Sequence, residues 1–230
     1  MTRRLIVAVD TPELDRAGAL LRAVAPHCGL VKLGLEFFLR HGPEGYRAMA
    51  AAGADIFLDL KLHDIPNTVA GGVRSLLPLG PRLLTIHAGG GAAMVAAAVA
   101  AAAQAGASRP KILAVTVLTS LDAAALSATG VVDGPARQAL RLARLALAEG
   151  ADGLVCSPHE IAPLRDAFGS GPLLVVPGIR PAGAAPGDQA RVMTPEQAVE
   201  AGADYIVVGR PVTAAAEPGA AAAAIARAIA

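Results

Sequence analysis

The chain has 230 residues, is 54% hydrophobic and 17% charged, and carries a formal net charge of +1. A chain of this length buries roughly 70–75% of its unfolded surface, so it needs neither a disulfide nor a metal to fold. The near-neutral balance argues against a nucleic-acid footprint, and at 3% aromatic content base-stacking platforms are scarce, so no nucleic-acid partner is expected.

Short apolar runs set the chain order. Strands are expected over 5–10, 30–33, 55–62, 83–88, 112–119, 153–157, 173–177 and 205–209. Most are apolar almost throughout, as in strands covered on both faces. The first run follows Arg3-Arg4, is too short for a signal-peptide core and ends on Asp10. Between the runs lie helical segments. Ala92–Ala103 and 220–226 are the most Ala-rich, and both are shorter than a membrane span, so they read as packed helices. No membrane partner is expected. Cys28 and Cys156 lack CxxC neighbours, which points away from disulfides and zinc and towards a reducing, cytoplasmic setting.

A small repeat punctuates the alternation. Gly53-Ala54-Asp55, Gly150-Ala151-Asp152 and Gly202-Ala203-Asp204 each close a helical stretch and precede a strand, with Gly as the helix-ending residue. Thr11-Pro12-Glu13 and Thr194-Pro195-Glu196 read as helix starts with Pro at the first helical position. No linker divides the chain. About eight β/α units in one domain over 1–230 predict a (β/α)8 TIM barrel. A doubly wound open sheet is the alternative, but the turn after the first strand lacks its Gly-x-Gly-x-x-Gly.

Barrel chemistry belongs at the C-terminal ends of the strands. Asp10, Lys32, Asp59, Lys61, His87, Thr119, Ser157 and Arg210 fall there. In the third strand, period-two alternation puts Leu58, Leu60 and Leu62 on one face and Asp59 and Lys61 on the other. An isolated Asp-x-Lys reads equally well as an ion pair sealing the core. Lys32, however, ends the second strand amid apolar sequence and needs a buried carboxylate, for which Asp59 is the neighbour. His63-Asp64-Ile65-Pro66-Asn67-Thr68 follows as a loop and helix start. Its Asp64 is free to enter this mouth or a neighbour's. Lys32, Asp59, Lys61 and Asp64 thus form an expected alternating quartet. The flanking carboxylates favour Lys61 as an ammonium acid rather than a Schiff-base amine.

The last two strands suggest a phosphate site, common after strands seven and eight of barrels. Gly209 allows close backbone approach and Arg210 offers a planar fork. Pro177-Gly178-Ile179-Arg180 and Asp188-Gln189 lie on the preceding loop. A plain turn with a surface arginine is the simpler reading of Gly-Arg alone. His63 and His87 could meet at the mouth, but no metal-ligand spacing exists. Ser157 lacks a nucleophile elbow, and Cys156 reads as a buried hydrophobe.

Asp59-Leu60-Lys61-Leu62-His63-Asp64-Ile65-Pro66-Asn67-Thr68 closely resembles the signature of the orotidine 5'-phosphate decarboxylase family. Val7-Ala8-Val9-Asp10, Val31-Lys32-Leu33-Gly34, Thr85-Ile86-His87-Ala88, Thr116-Val117-Leu118-Thr119-Ser120, Pro177-Gly178-Ile179-Arg180, Asp188-Gln189-Ala190-Arg191-Val192 and Val208-Gly209-Arg210-Pro211 extend the likeness along the chain. The resemblance implies a cytoplasmic homodimeric carboxy-lyase without metal or organic cofactor, converting orotidine 5'-phosphate to UMP in pyrimidine biosynthesis. It makes Lys61 the proton donor, sets Asp59 beside the departing carboxylate, and has Lys32 hold Asp59 and a ribose hydroxyl. Asp10 would bind ribose. Asp64 and Thr68 would reach the partner's site, with Ile65 beside them. Thr119 and Ser120 would read the pyrimidine, and Pro177, Arg180, Gln189, Gly209 and Arg210 would line the phosphate grip. Residues 181–187 would form a lid.

Two other readings remain at this point. Magnesium-dependent sugar-phosphate decarboxylases and hexulose-phosphate synthases also carry Asp-x-Lys-x-x-Asp, with a metal-holding Glu where this chain has Lys32. A silent phosphate-binding barrel is the other. Lysine itself is informative: against seventeen arginines only Lys32, Lys61 and Lys111 are lysine, and the first two fall at the expected mouth.

Overall fold

The computed structural model describes residues 4–181 and 193–230. Eight parallel strands close into a barrel in sequence order. They are β1 (Leu5–Ala8), β2 (Leu30–Gly34), β3 (Ile56–Leu62), β4 (Leu83–His87), β5 (Lys111–Val115), β6 (Gly153–Val155), β7 (Leu173–Val176) and β8 (Tyr205–Val208). The expected TIM barrel is the observed one, and the open sheet is excluded because β1 pairs with β8. Most strands stop short of the expected C-terminal ends: Asp10, Thr119, Ser157, Pro177 and Gly209 lie on the loops beyond. Of these, Asp10, Thr119, Pro177 and Gly209 line the mouth, while Ser157 is fully buried outside that lining and stands at the N-cap of the turn Pro158–Glu160.

The apolar runs segregate as parallel-strand burial requires. Ile6, Ala8, Leu30, Phe57, Leu83, Leu113, Val175 and Val207 fill the barrel interior. The alternate positions, including Leu33, Leu58, Leu60 and Ile206, pack outward in the larger core under the helices. The long stretch between β5 and β6 holds two helices, a short one over Ala123–Ala128 and then Gly134–Ala148. Ala92–Ala103 is a helix over that full range; Met94, Val95, Ala98, Ala101 and Ala102 form its buried face. Among the described residues, no helix is long and apolar enough to cross a membrane.

The repeat works as caps and as anchors. Gly53, Gly150 and Gly202 have φ of 83°, 86° and 109°, the left-handed turn that ends a helix. Two of the following aspartates then tie neighbouring strands at the barrel floor. Asp152 accepts from the Ile112 amide at 2.8 Å and from both terminal nitrogens of Arg109 at 2.8 and 2.7 Å. Asp204 accepts from the Leu174 amide at 2.7 Å and from Arg165 at 2.6 Å. Lys111, the third lysine, joins Asp152 at 3.2 Å and so belongs to this stabilising rim. Thr194 caps Pro195–Glu200 in a capping box with Gln197. The first proposed helix start is corrected: the helix is Leu14–Val24, and Pro12 stands outside it. There Thr11 donates to Glu13 instead.

Candidate active site

A cavity of about 290 Å³ opens at the C-terminal mouth. Ala8, Phe57, Val155 and Val207 form its apolar floor, while Asp10, Lys32, Asp59, Lys61, Thr119, Pro177, Arg180, Gly209 and Arg210 supply the rest of the expected lining. These polar groups come from the ends of β1, β2, β3, β5, β7 and β8, so only the closed barrel brings them together.

Register sets the deepest pair. Ala8 lies opposite Lys32, and Lys32 opposite Phe57, all pointing inward. Asp59, two residues on, therefore also points inward. Lys32 Nζ lies 3.3 Å from Asp59 Oδ2 and 3.3 Å from Asp10 Oδ1. Lys61 Nζ lies 2.8 Å from Asp59 Oδ1. The result is an alternating chain, Asp10–Lys32–Asp59–Lys61. Burial opposes the Lys32 ammonium, yet the Asp59 and Asp10 carboxylates outweigh it and hold its pKa above the usual lysine value. Burial likewise opposes the Asp59 charge, but Lys32, Lys61 and the Thr85 hydroxyl hold its pKa below the usual carboxylate value.

Asp64 is not the fourth member within its own chain. It is exposed on the loop after β3, where its Oδ1 accepts from the Ile65 amide at 2.6 Å. The outer acid of the chain is Asp10, because β1 neighbours β2 and its loop folds over Lys32. Ile65, Thr68 and Ser120 are likewise exposed and outside the cavity lining. Gln189, with Asp188, Ala190, Arg191, Val192 and positions 182–187 of the expected lid, lies outside the described residues.

β3 also departs from plain alternation. Between Leu58↔Leu84 and Leu62↔Ile86, β3 advances four residues while β4 advances two. Inside this bulge Lys61 has φ 51°, the one positive φ outside glycine among the described residues. Such backbone costs about 1–3 kcal/mol and persists where its surroundings hold it. Thr85 holds it: its Oγ1 accepts from the Lys61 amide at 2.8 Å and donates to Asp59 Oδ1 at 3.0 Å. Sequence reading missed Thr85, since its place beside β3 follows from the bulge.

His63 and His87 do meet, with rings stacked 5.0 Å apart. His87 Nδ1 accepts from the Gly89 amide. Burial, then His63 and Lys61, lower its pKa, in keeping with a packed, neutral imidazole. Cys156 is buried and Ser157 is fully buried. Thr213, on the short helix Arg210–Thr213, also lines the cavity and was given no role by the sequence, and Leu118 lines it from the Thr116–Ser120 segment.

Fold and mouth together define a (β/α)8 barrel with a charged cavity at the C-terminal ends of its strands. The orotidine 5'-phosphate decarboxylase of Anaeromyxobacter sp. (strain K) is 58% identical over 225 residues, covering 98% of this chain and 97% of that protein. The chain belongs to the orotidine 5'-phosphate decarboxylase / HUMPS family, whose description matches residues 3–225. The orotidine 5'-phosphate decarboxylase of Thermobifida fusca (strain YX) is 55% identical, covering 98% of this chain and 95% of its own. Among solved structures, that of the Lactobacillus acidophilus enzyme of the same name superposes with a TM-score of 0.87 at 40% identity, covering 99% of both chains.

Proposed function

We propose that this chain is a carboxy-lyase that converts orotidine 5'-phosphate to UMP in pyrimidine biosynthesis, as a single barrel domain in the cytoplasm, without metal or organic cofactor. The observation that carries the reading is the Asp10–Lys32–Asp59–Lys61 chain, with Lys61 Nζ 2.8 Å from a buried carboxylate. The relatives' names supply the substrate; the site supplies a chemistry that suits it.

In the step, the bond from the ring carbon to the carboxylate breaks and carbon dioxide leaves. The electron pair stays on the ring carbon, where no carbonyl or imine receives it. The Lys61 ammonium stabilises this charge as it develops and then gives the carbon its proton. Water returns a proton to the amine afterwards. Asp59 aims Lys61 and sits beside the departing carboxylate. Enzymes lower barriers by roughly 8–23 kcal/mol, and fixed charges in a partly buried mouth are an effective source of such lowering.

Asp10 and Lys32 hold ribose hydroxyls and Thr119 reads the ring, with Ser120, exposed outside the cavity lining, assigned to the same segment. Arg180, the Gly209 backbone and Arg210 hold the phosphate, with Pro177 beside them and Gln189 assigned to the same grip. Phosphate binding remote from the reacting carbon is energy usable at the transition state. Lys32 also favours this reading over the magnesium-dependent one: its ammonium already lies 3.3 Å from both Asp10 and Asp59, where it repels a divalent cation.

The protein acts as a homodimer, in which Asp64 and Thr68 of each chain, with Ile65, complete the other chain's site. Their exposure beside β3, outside their own cavity, supports this, as does Ile65 at 67% exposed.

The test is direct. Purified protein with orotidine 5'-phosphate and a chelator, and no added cofactor, is expected to consume the orotidylate absorbance. Absorbance unchanged across a range of pH, with UMP still bound, would instead mark a phosphate-binding barrel. Loss that requires magnesium would mark the metal-dependent branch.

A further inference from the structure

We infer that Thr85 is a positioning residue for the proposed reaction, its hydroxyl locking the Lys61 backbone to the Asp59 carboxylate. The inference rests on the roles given to Lys61 and Asp59 above. Thr85 is 0% exposed and does not line the cavity, so it acts through the two residues it binds.

The hydrogen-bond polarity is fixed by chemistry. An amide N–H only donates and an ionised carboxylate only accepts. The Thr85 oxygen therefore takes the Lys61 amide hydrogen at 2.8 Å and directs its own hydrogen to Asp59 Oδ1 at 3.0 Å. Asp59 Oδ1 also receives Lys61 Nζ at 2.8 Å. A closed ring results, running from the Lys61 amide through the hydroxyl and the carboxylate back to the Lys61 ammonium. It leaves Asp59 Oδ2 for Lys32 at 3.3 Å. One hydroxyl thus sets the carboxylate rotation that shares Asp59 between two lysines.

The ring also accounts for the left-handed Lys61. Within the bulge, β4 offers this amide the Thr85 side chain as its partner. Without the hydroxyl the amide loses that acceptor, and a buried donor without an acceptor is costly. The backbone then has reason to relax and carry Nζ away from the reacting carbon. A misplacement near 1 Å at a reacting group costs about 100-fold in rate.

The experiment compares Thr85→Val, which keeps shape and removes the hydroxyl, with Thr85→Ser, which keeps the hydroxyl. Turnover of orotidine 5'-phosphate, UMP affinity and a crystal structure are measured for each. Thr85→Val is expected to lower kcat about 10–100-fold while KM and UMP affinity stay within about 3-fold; Thr85→Ser is expected to restore kcat to within about 3-fold. In Thr85→Val crystals, Lys61 leaves the left-handed region or its contact with Asp59 opens. If Thr85→Val fails to fold, Thr85→Cys, a weak donor of similar size, is expected to show the same split. Equal kcat in Thr85→Val and Thr85→Ser would overturn the inference, and so would an unchanged Lys61 and Asp59 in the crystals. Should the parent protein leave orotidine 5'-phosphate intact, the functional reading fails, and the crystal geometry still decides whether Thr85 sets the pair.

Discussion

The Lys61 ammonium lies 2.8 Å from Asp59 Oδ1, and it reaches there from a left-handed backbone at φ 51°. Two residues of one extended strand would share a face by alternation alone. Here the strand bulges between them and β4, so the pair is set by tertiary contacts as well as by spacing. The same carboxylate meets Lys32 on its other oxygen. Charge on this acid therefore organises both lysines of the mouth.

Gly34 gives this arrangement its room. A Cβ there would lie 2.9 Å from Asp10 Oδ1 and 3.3 Å from Lys32 Nζ. Its φ and ψ of −89° and −179° suit any residue, so the constraint is space. Gly34→Ala is expected to fold, with about 1 kcal/mol or less lost in denaturant titration. Asp10, 58% exposed, swings away and releases Lys32. KM for orotidine 5'-phosphate should rise about tenfold with kcat less affected, as expected when ground-state binding is lost.

The proposed sharing of Asp64 makes a quantitative prediction. Lys61→Ala and Asp64→Ala are each expected to be nearly inactive alone. In a 1:1 mixture after subunit exchange, half the dimers are mixed, and each mixed dimer has one intact site. The mixture should recover about a quarter of the wild-type rate, because the partner supplies Asp64 symmetrically. Recovery no greater than the sum of the two variants would place Asp64 outside the shared site.

The barrel floor should separate stability from catalysis. Asp152, with a side chain 9% exposed, pairs with Arg109 and Lys111. Burial opposes its charge, but hydrogen bonds from Arg109, Ile112 and Lys111 hold its pKa below the usual aspartate value. A group with a depressed folded pKa stabilises above its unfolded pKa and loses that contribution as pH falls through the folded one. Asp152→Asn is therefore expected to cost about 1–3 kcal/mol at pH 7. The gap to the parent should narrow as pH falls below about 3.9. Turnover at a permissive temperature should be unchanged.

Much of this was legible in the chain. Apolar runs with Gly-Ala-Asp punctuation give the barrel, because a doubly covered strand must be apolar throughout. Lys32 in apolar sequence demands a carboxylate, and Asp59 meets it. Asp10 and Asp64 are less legible as partners, since both sit on loops and their sequence spacing carries no direction. Asp10 is fixed by β1 pairing beside β2, and Asp64 turns away into solvent within its own chain. Thr85 reads as any β-branched strand residue, and only the bulge brings its hydroxyl to the Lys61 amide. Pro12 follows a threonine as a helix-starting proline does, yet Thr11 bonds Glu13 and the helix begins later.

The central claim is that Lys61 supplies the proton. Its most direct test is turnover of orotidine 5'-phosphate by Lys61→Ala and Lys61→Arg, with UMP affinity measured on both. Arginine keeps the charge but remains protonated at neutral pH. Both variants are expected to lose at least about 10⁴-fold in kcat, the upper range for a positioned acid, while still binding UMP. Substantial turnover by Lys61→Arg or Lys61→Ala would contradict the assignment.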